Sequence, residues 1–183
     1  MSAERSRLLN RQLPRDLAER LQRERLDPSR AWLCTDSDLN LAGQYEQVFL
    51  LVDADRLIVA ARPTDGQAHP VRLLLERGAI DEVRTHQGVG GGFLEALTNG
   101  VWVQVLAYSN ARADLFDKVA AKLKDWRAGG KPATGPADDE DPRKCPACGM
   151  PLEFKGDVCR RCVRQGAVLA RVLRLMRPYA RKA

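Results

Sequence analysis

The chain has 183 residues, 44% of them hydrophobic and 30% charged, which leaves room for one ordinary core plus a small module and too little for two full-sized domains. No run approaches the about 18 consecutive apolar residues of a membrane-spanning helix, because the best one, Val48 to Ala61, is broken by Asp53, Asp55 and Arg56. The formal charge of +6 is unevenly spread: residues 1–30 carry 8 basic and 5 acidic side chains, 31–140 carry 11 and 16, and 141–183 carry 11 and 3, giving +3, −5 and +8 in turn.

The first residues, Met-Ser-Ala-Glu-Arg-Ser-Arg, contain no apolar signal core. This argues against secretion and makes a reducing cytoplasm the expected compartment, where cysteines serve as metal ligands or free thiols. Residues 1–30 read as an N-terminal helical segment. Leu9, Leu13, Leu17 and Leu21 recur every four residues through 4–26, and Pro14 should kink or divide the helix. The narrow stripe suits a solvent-facing helix with one packing edge, with a partner-binding coiled coil as the alternative.

From Ala31 to Ser109 the pattern becomes strand-like, with runs at Ala31–Cys34, Gln47–Val52, Arg56–Ala61, Val71–Glu76, Ile80–Gln87, Gly92–Thr98 and Val101–Ser109. Asp53-Ala54-Asp55 separates two apolar runs, and Asn99-Gly100 is the dipeptide favoured by a tight type I′ hairpin. Consecutive hairpins predict an antiparallel meander closing on itself. Cys34, between Leu33 and Thr35, is expected as a buried core thiol, and His69 and His86 as surface or satisfied histidines. Gly88-Val-Gly-Gly-Gly92 lacks the Gly-Lys-Ser/Thr ending of a nucleotide loop and joins two strands, so it reads as a hairpin connection.

Asn110 then begins a helix, with Asp114 in its first turn and Leu115, Phe116, Val119, Ala120, Leu123 and Trp126 on one stripe, ending at Gly129-Gly130. Across Asp36 to Arg127, the runs "GQYEQVFLLVDADRLIVA" and "GVGGGFLEALTNGVWVQVLAYSN" followed by this helix resemble bacterial members of the pleckstrin-homology-like superfamily. The resemblance implies an α+β chain whose residues 31–128 form a PH-like antiparallel β-barrel or sheet with a C-terminal capping helix. Such folds host lipid, peptide and purely structural roles. The net −5 of 31–140 disfavours an anionic headgroup as ligand, because that would need a basic rim.

Residues 129–144, rich in Gly, Pro, Ala and Asp, read as a flexible linker. Next come Cys145-Pro-Ala-Cys148-Gly and Cys159-Arg-Arg-Cys162, two CxxC turns ten residues apart. Each can grip a tetrahedral ion from a tight knuckle, and Gly149 supplies the positive φ such a turn needs. Four thiolates leave no open position, so the expected cofactor is one structural Zn2+ bound by Cys145, Cys148, Cys159 and Cys162, holding a zinc ribbon over 145–163. Disulfides or unliganded thiols are the weaker alternative. So short a module cannot fold on apolar burial alone, and metal binding would supply its folding free energy.

Residues 164–183 read as a basic amphipathic helix, with Val168, Leu169, Val172, Leu173 and Met176 beside Arg164, Arg171, Arg174 and Arg177, interrupted at Pro178. Those four arginines are the candidate membrane or phosphate contacts. A membrane-surface helix, a nucleic-acid-binding tail and a helix continuing into a further segment all fit that pattern. No Ser-His-Asp order, HExxH motif or convincing carboxylate pair occurs, so catalysis by this chain is not expected.

The four cysteines, Gly166-Ala-Val-Leu169 and Arg174-Leu-Met-Arg-Pro-Tyr179 together resemble the stretch preceding the first membrane-spanning helix in a group of bacterial ABC exporters. In those proteins a pleckstrin-homology-like domain and a small zinc ribbon lie ahead of a fused permease and ATP-binding half. The resemblance implies a cytoplasmic accessory region with an elbow-like helix at the inner leaflet. Its partners would be the inner-leaflet membrane surface and the transporter membrane domain, with homo- or heterodimerisation left open. Residues 1–183 contain no Walker sequence, signature loop or membrane helix, so ATP binding and transport attach to no residue here. The expectation is therefore either the front part of such an exporter or a separate subunit. The alternative from another class is a free-standing zinc-ribbon adaptor or nucleic-acid-binding protein using Arg160, Arg161, Arg164, Arg171 and Arg174. It ranks second because a nucleic-acid surface needs no apolar stripe beside its arginines.

Overall fold

The apolar runs between Leu33 and Ser109 form seven strands: β1 (Leu33–Leu39), β2 (Tyr45–Val52), β3 (Arg56–Ala61), β4 (Val71–Glu76), β5 (Glu82–Gln87), β6 (Gly91–Thr98) and β7 (Val101–Ser109). They are seen in a computed structural model that describes residues 8–62, 69–130, 132, 134–135, 138, 144–145, 147–154 and 157–162. The chain divides into two units, 1–139 and 140–183.

In the first unit the strands make one antiparallel sheet in the order β4-β3-β2-β1-β7-β6-β5. Two meanders, β1 to β4 and β5 to β7, meet where β1 touches β7 at the single registered pair Leu39↔Ala107. The hydroxyl of Ser37 donates to the Ala107 carbonyl at this seam. Between β4 and β5 the chain makes only a 3₁₀ turn, Arg77–Ala79, and among the described residues these two strands share no ladder. The sheet is open there, where the sequence pattern suggested closure. The hairpin at Asn99-Gly100 has both residues at positive φ, 51° and 75°, as a type I′ turn requires.

Val48–Val52 of β2 and Leu57–Ala61 of β3 are unbroken apolar runs because both of their faces are covered. On one face Val48, Leu50, Val52, Leu57, Val59 and Ala61 join the main core with α2 (Ala113–Arg127), which buries Leu115, Phe116, Val119, Ala120, Leu123 and Trp126. Gly129, at φ +94°, ends this helix by donating to the Trp126 carbonyl at 3.1 Å. On the opposite face Phe49, Leu51, Ile58 and Ala60 pack with Leu17, Leu21 and Leu26. Leu17 and Leu21 belong to α1 (Arg15–Arg23), and burying side chains of this size contributes about 1.5–3 kcal/mol each.

The N-terminal helix is shorter than the leucine spacing over 4–26 suggested. Pro14 stands at its N-cap, where a missing N–H is harmless. Before it the chain is extended: Cys34 N–H donates to the Leu9 carbonyl and Arg11 N–H to the Cys34 carbonyl, at 2.9 and 2.8 Å. Asn10 thus bridges parallel to Cys34. This covers the edge of β1 that β7 does not reach, and Leu9 enters the main core instead of a helical stripe.

β1 is longer than expected, extending through Thr35, Asp36, Ser37 and Asp38, residues that favour turns. Each has a partner that offsets its burial. Thr35 donates to the Leu8 carbonyl at 2.7 Å, and Asp38 accepts from the Ser109 backbone N–H and hydroxyl at 3.0 and 2.6 Å. Asp36 accepts from Gln47 at 3.0 Å and from Arg112.

Candidate metal centre

In the second unit, two short knuckles bring the cysteines together. Cys145 N–H donates to the Met150 carbonyl and Gly149 N–H to the Cys145 carbonyl, both at 2.8 Å, with Gly149 at φ +71°. Lys144 pairs antiparallel with Pro151 in an isolated bridge. Cys162 N–H donates to the Cys159 carbonyl at 3.0 Å, closing the second knuckle. The local sequence causes both turns, since CxxC leaves two intervening residues to reverse the chain.

The sulfurs of Cys145, Cys148, Cys159 and Cys162 all lie within 4.8 Å of one another. Cys145 and Cys162 are 3.7 Å apart, and Cys148 and Cys159 3.5 Å. A tetrahedral ion with metal–sulfur bonds of about 2.3 Å has sulfur–sulfur edges of about 3.8 Å, so the four donors fit a metal of that size. None of the five cysteines forms a disulfide in this structure.

The electrostatics favour the same use. Backbone N–H groups of Cys148 and Ala147 aimed at the Cys145 sulfur bring its pKa down to about 7. Contact with the sulfurs of Cys148 and then Cys145 pushes the Cys162 thiol up to about 12. Four thiols at this spacing cannot all ionise on their own, because each new anion faces the last, and a bound dication removes that penalty.

Of the other residues singled out by sequence, Cys34 is buried, and burial followed by the nearby Asp36 charge raises its pKa to about 12. His69 is exposed, with Nδ1 3.1 Å from Glu24. His86 lies 3.8 Å from Glu95, a carboxylate that Arg84 also engages at 2.8 Å. Of the Gly88–Gly92 run, residues 88–90 make the hairpin connection between β5 and β6, and Gly91 and Gly92 begin β6. Arg160 and Arg161 are exposed beside the second knuckle. Arg164, Arg171, Arg174 and Arg177 lie outside the described residues, as does the rest of 163–183.

Two features had no sequence signal. One is the Asp36 cluster, whose partners are far apart in the chain. The other is a cleft of about 730 Å³ at the seam, with Leu39, Val48, Val59, Leu73 and Leu106 in its lining and the Arg72–Glu46 pair, 3.5 Å apart, at its polar side. No helix among the described residues is long and apolar enough to cross a membrane. Compared with protein-family models and with curated proteins, the chain matches none.

Proposed function

We propose that this chain is a cytoplasmic accessory module of a bacterial ABC exporter, non-catalytic in itself. In this reading the sheet unit is a PH-like interaction or regulatory domain, and a Zn2+-loaded ribbon is the rigid joint towards the membrane. The observation that carries it is the convergence of Cys145, Cys148, Cys159 and Cys162 within 4.8 Å, directly before the elbow-like sequence at 174–179. The strand order β4-β3-β2-β1-β7-β6-β5 with a helix after β7 supports the PH-like part of the reading. Zinc fits better than a redox metal as the occupant of a closed four-thiolate site whose role is to hold a short fragment folded.

Two measurements test the reading. Metal analysis of the purified chain should return one zinc per chain, and substituting any one of the four cysteines by Ser should lower that sharply. Removing residues 164–183 should abolish association with anionic vesicles while leaving the sheet unit folded. Unchanged association would count heavily against a membrane joint.

The exposed pair Arg160 and Arg161 and the +8 of residues 141–183 favour a second reading, a free-standing nucleic-acid-binding ribbon. A duplex titration separates the two, since phosphate contacts impose a steep fall of affinity with salt.

A further inference from the structure

The segment between the two cysteine pairs presents an apolar surface that the metal site does not use. Phe154 is 70% exposed, Val158 68% and Met150 43%. Among the described residues, three of the eight exposed large hydrophobic side chains thus fall within 150–158. Single exposed apolar residues need no explanation, whereas a concentration of them does.

Backbone contacts hold Met150, Pro151, Phe154 and Asp157. Met150 accepts from the Cys145 N–H at 2.8 Å, Pro151 bridges to Lys144, and Asp157 N–H donates to the Phe154 carbonyl at 3.1 Å. A ribbon organised around four sulfurs offers little apolar interior for them to enter. Arg160 and Arg161 stand exposed directly after Val158 and Cys159, and the Arg160–Glu153 pair, 3.4 Å long with both partners exposed, does little to neutralise them.

We propose that Phe154, Val158, Arg160 and Arg161 form a membrane-contact surface, with Phe154 and Val158 seated in the headgroup layer of an anionic bilayer while Arg160 and Arg161 meet lipid phosphate. The proposal rests on the membrane-joint reading above and adds a second contact to the one assigned there to 164–183. Charge complementarity selects the occupant: the +8 of residues 141–183 suits an extended anionic surface, which attracts basic residues lying close to it. A nucleic-acid duplex would satisfy the arginines and leave Phe154 and Val158 in water. A bilayer interface takes both kinds of side chain, the apolar ones about 5–10 Å deep.

The test uses the full zinc-loaded chain with vesicles of phosphatidylcholine alone and of phosphatidylcholine with phosphatidylserine. The wild type should partition onto the anionic vesicles. The double substitution Phe154→Ser/Val158→Ser should weaken that partition about tenfold while the zinc content stays at one per chain. Independently, Phe154→Trp should gain a blue-shifted emission that brominated acyl chains quench, beyond any change shown by the native tryptophans. If the wild type partitions, deleting 164–183 releases it, and the Ser variant binds as well as wild type with the Trp reporter unquenched, the loop proposal is overturned and the joint reading stands. If the wild type does not partition at all, both fail. Equal vesicle binding combined with duplex binding lost in Arg160→Gln/Arg161→Gln would assign the surface to nucleic acid and overturn the proposal as well.

Discussion

Arg112, at the foot of α2, reaches back to Asp36 in the middle of β1, where its Nη1 donates to the backbone carbonyl at 2.8 Å and to the carboxylate Oδ1 at 3.0 Å. Arg11 approaches the same carboxylate from the N-terminal segment, its Nη1 donating to Oδ2 at 3.3 Å and its Nε 2.9 Å from Oδ1. One carboxylate, 3% exposed, therefore fastens the extended N-terminus and the start of the capping helix to the strand where the two meanders join. Removing it takes this counter-charge from Arg11 and leaves Arg112 only the more distant Asp38, 3.9 Å from its Nε.

Asp36→Ala should therefore cost about 1–3 kcal/mol, the range for leaving hydrogen-bonded groups unpaired, because Arg11 and Arg112 are partly exposed and Arg112 keeps Asp38. Asp36→Asn, which keeps an acceptor but not the charge, should cost less. Urea unfolding at neutral pH measures both, and a loss below about 1 kcal/mol in Asp36→Ala would mean that apolar packing alone secures this junction.

The Asp36 junction also marks the limit of what the sequence makes legible. Where burial follows a simple period the elements are readable: β3, β4 and β7 run Arg56–Ala61, Val71–Glu76 and Val101–Ser109 in both pattern and structure, and the six buried residues of α2 are those of its apolar stripe. β1 is different, because Thr35-Asp36-Ser37-Asp38 is locally a turn sequence and becomes strand only through partners up to 76 residues away. Leu9 shares the spacing of Leu13, Leu17 and Leu21 yet lies in an extended segment, since Pro14 starts the helix and β1 offers Leu9 a ladder partner. The four-cysteine cluster was legible in the sequence, because both knuckles are built from contacts within a few residues. The sheet's opening between β4 and β5 left no trace in the sequence, which specifies hairpins far better than it specifies whether their ends meet.

The glycine run at the start of β6 makes a sharp prediction. A Cβ on Gly91 would collide with the backbone carbonyl of Tyr108 on β7, a neighbour that cannot rotate away. A Cβ on Gly88 would meet only the Gly91 carbonyl, at 3.4 Å. Gly91→Ala should cost about 1–3 kcal/mol as strands β6 and β7 are forced apart, and Gly88→Ala much less. Thermal unfolding of the two variants side by side checks this. Equal losses would mean that the run is needed for flexibility and not for close approach.

Asp38 gives the fold a definite response to acid. Burial raises its pKa, but the hydroxyl and backbone N–H of Ser109, the group's own backbone and Arg112 outweigh burial and hold it below the ordinary 3.8. A carboxylate whose folded pKa is depressed contributes stability that is present above its unfolded pKa and lost as pH falls through the folded value. The stability gap between wild type and Asp38→Asn should therefore be widest at neutral pH and narrow below about pH 4. Denaturant midpoints of both proteins across the acid range measure it, and a constant gap would show that Asp38 acts through packing alone.

Counting thiols tests the two classes of cysteine against each other. Cys34 is buried with its pKa raised to about 12, so at mildly alkaline pH it holds almost no thiolate and is shielded from reagent. Of the other four, Cys145 and Cys159 are buried and Cys148 and Cys162 exposed, so the exposed pair would owe any protection to a bound metal. With zinc bound, a thiol-specific chromophore should react slowly with all five. A chelator should release four while the sheet unit stays folded, and denaturant should add the fifth. Chelation that freed all five together would mean that losing the metal unfolds the sheet as well. Four thiols reacting at once without chelator would mean that the cluster holds no ion.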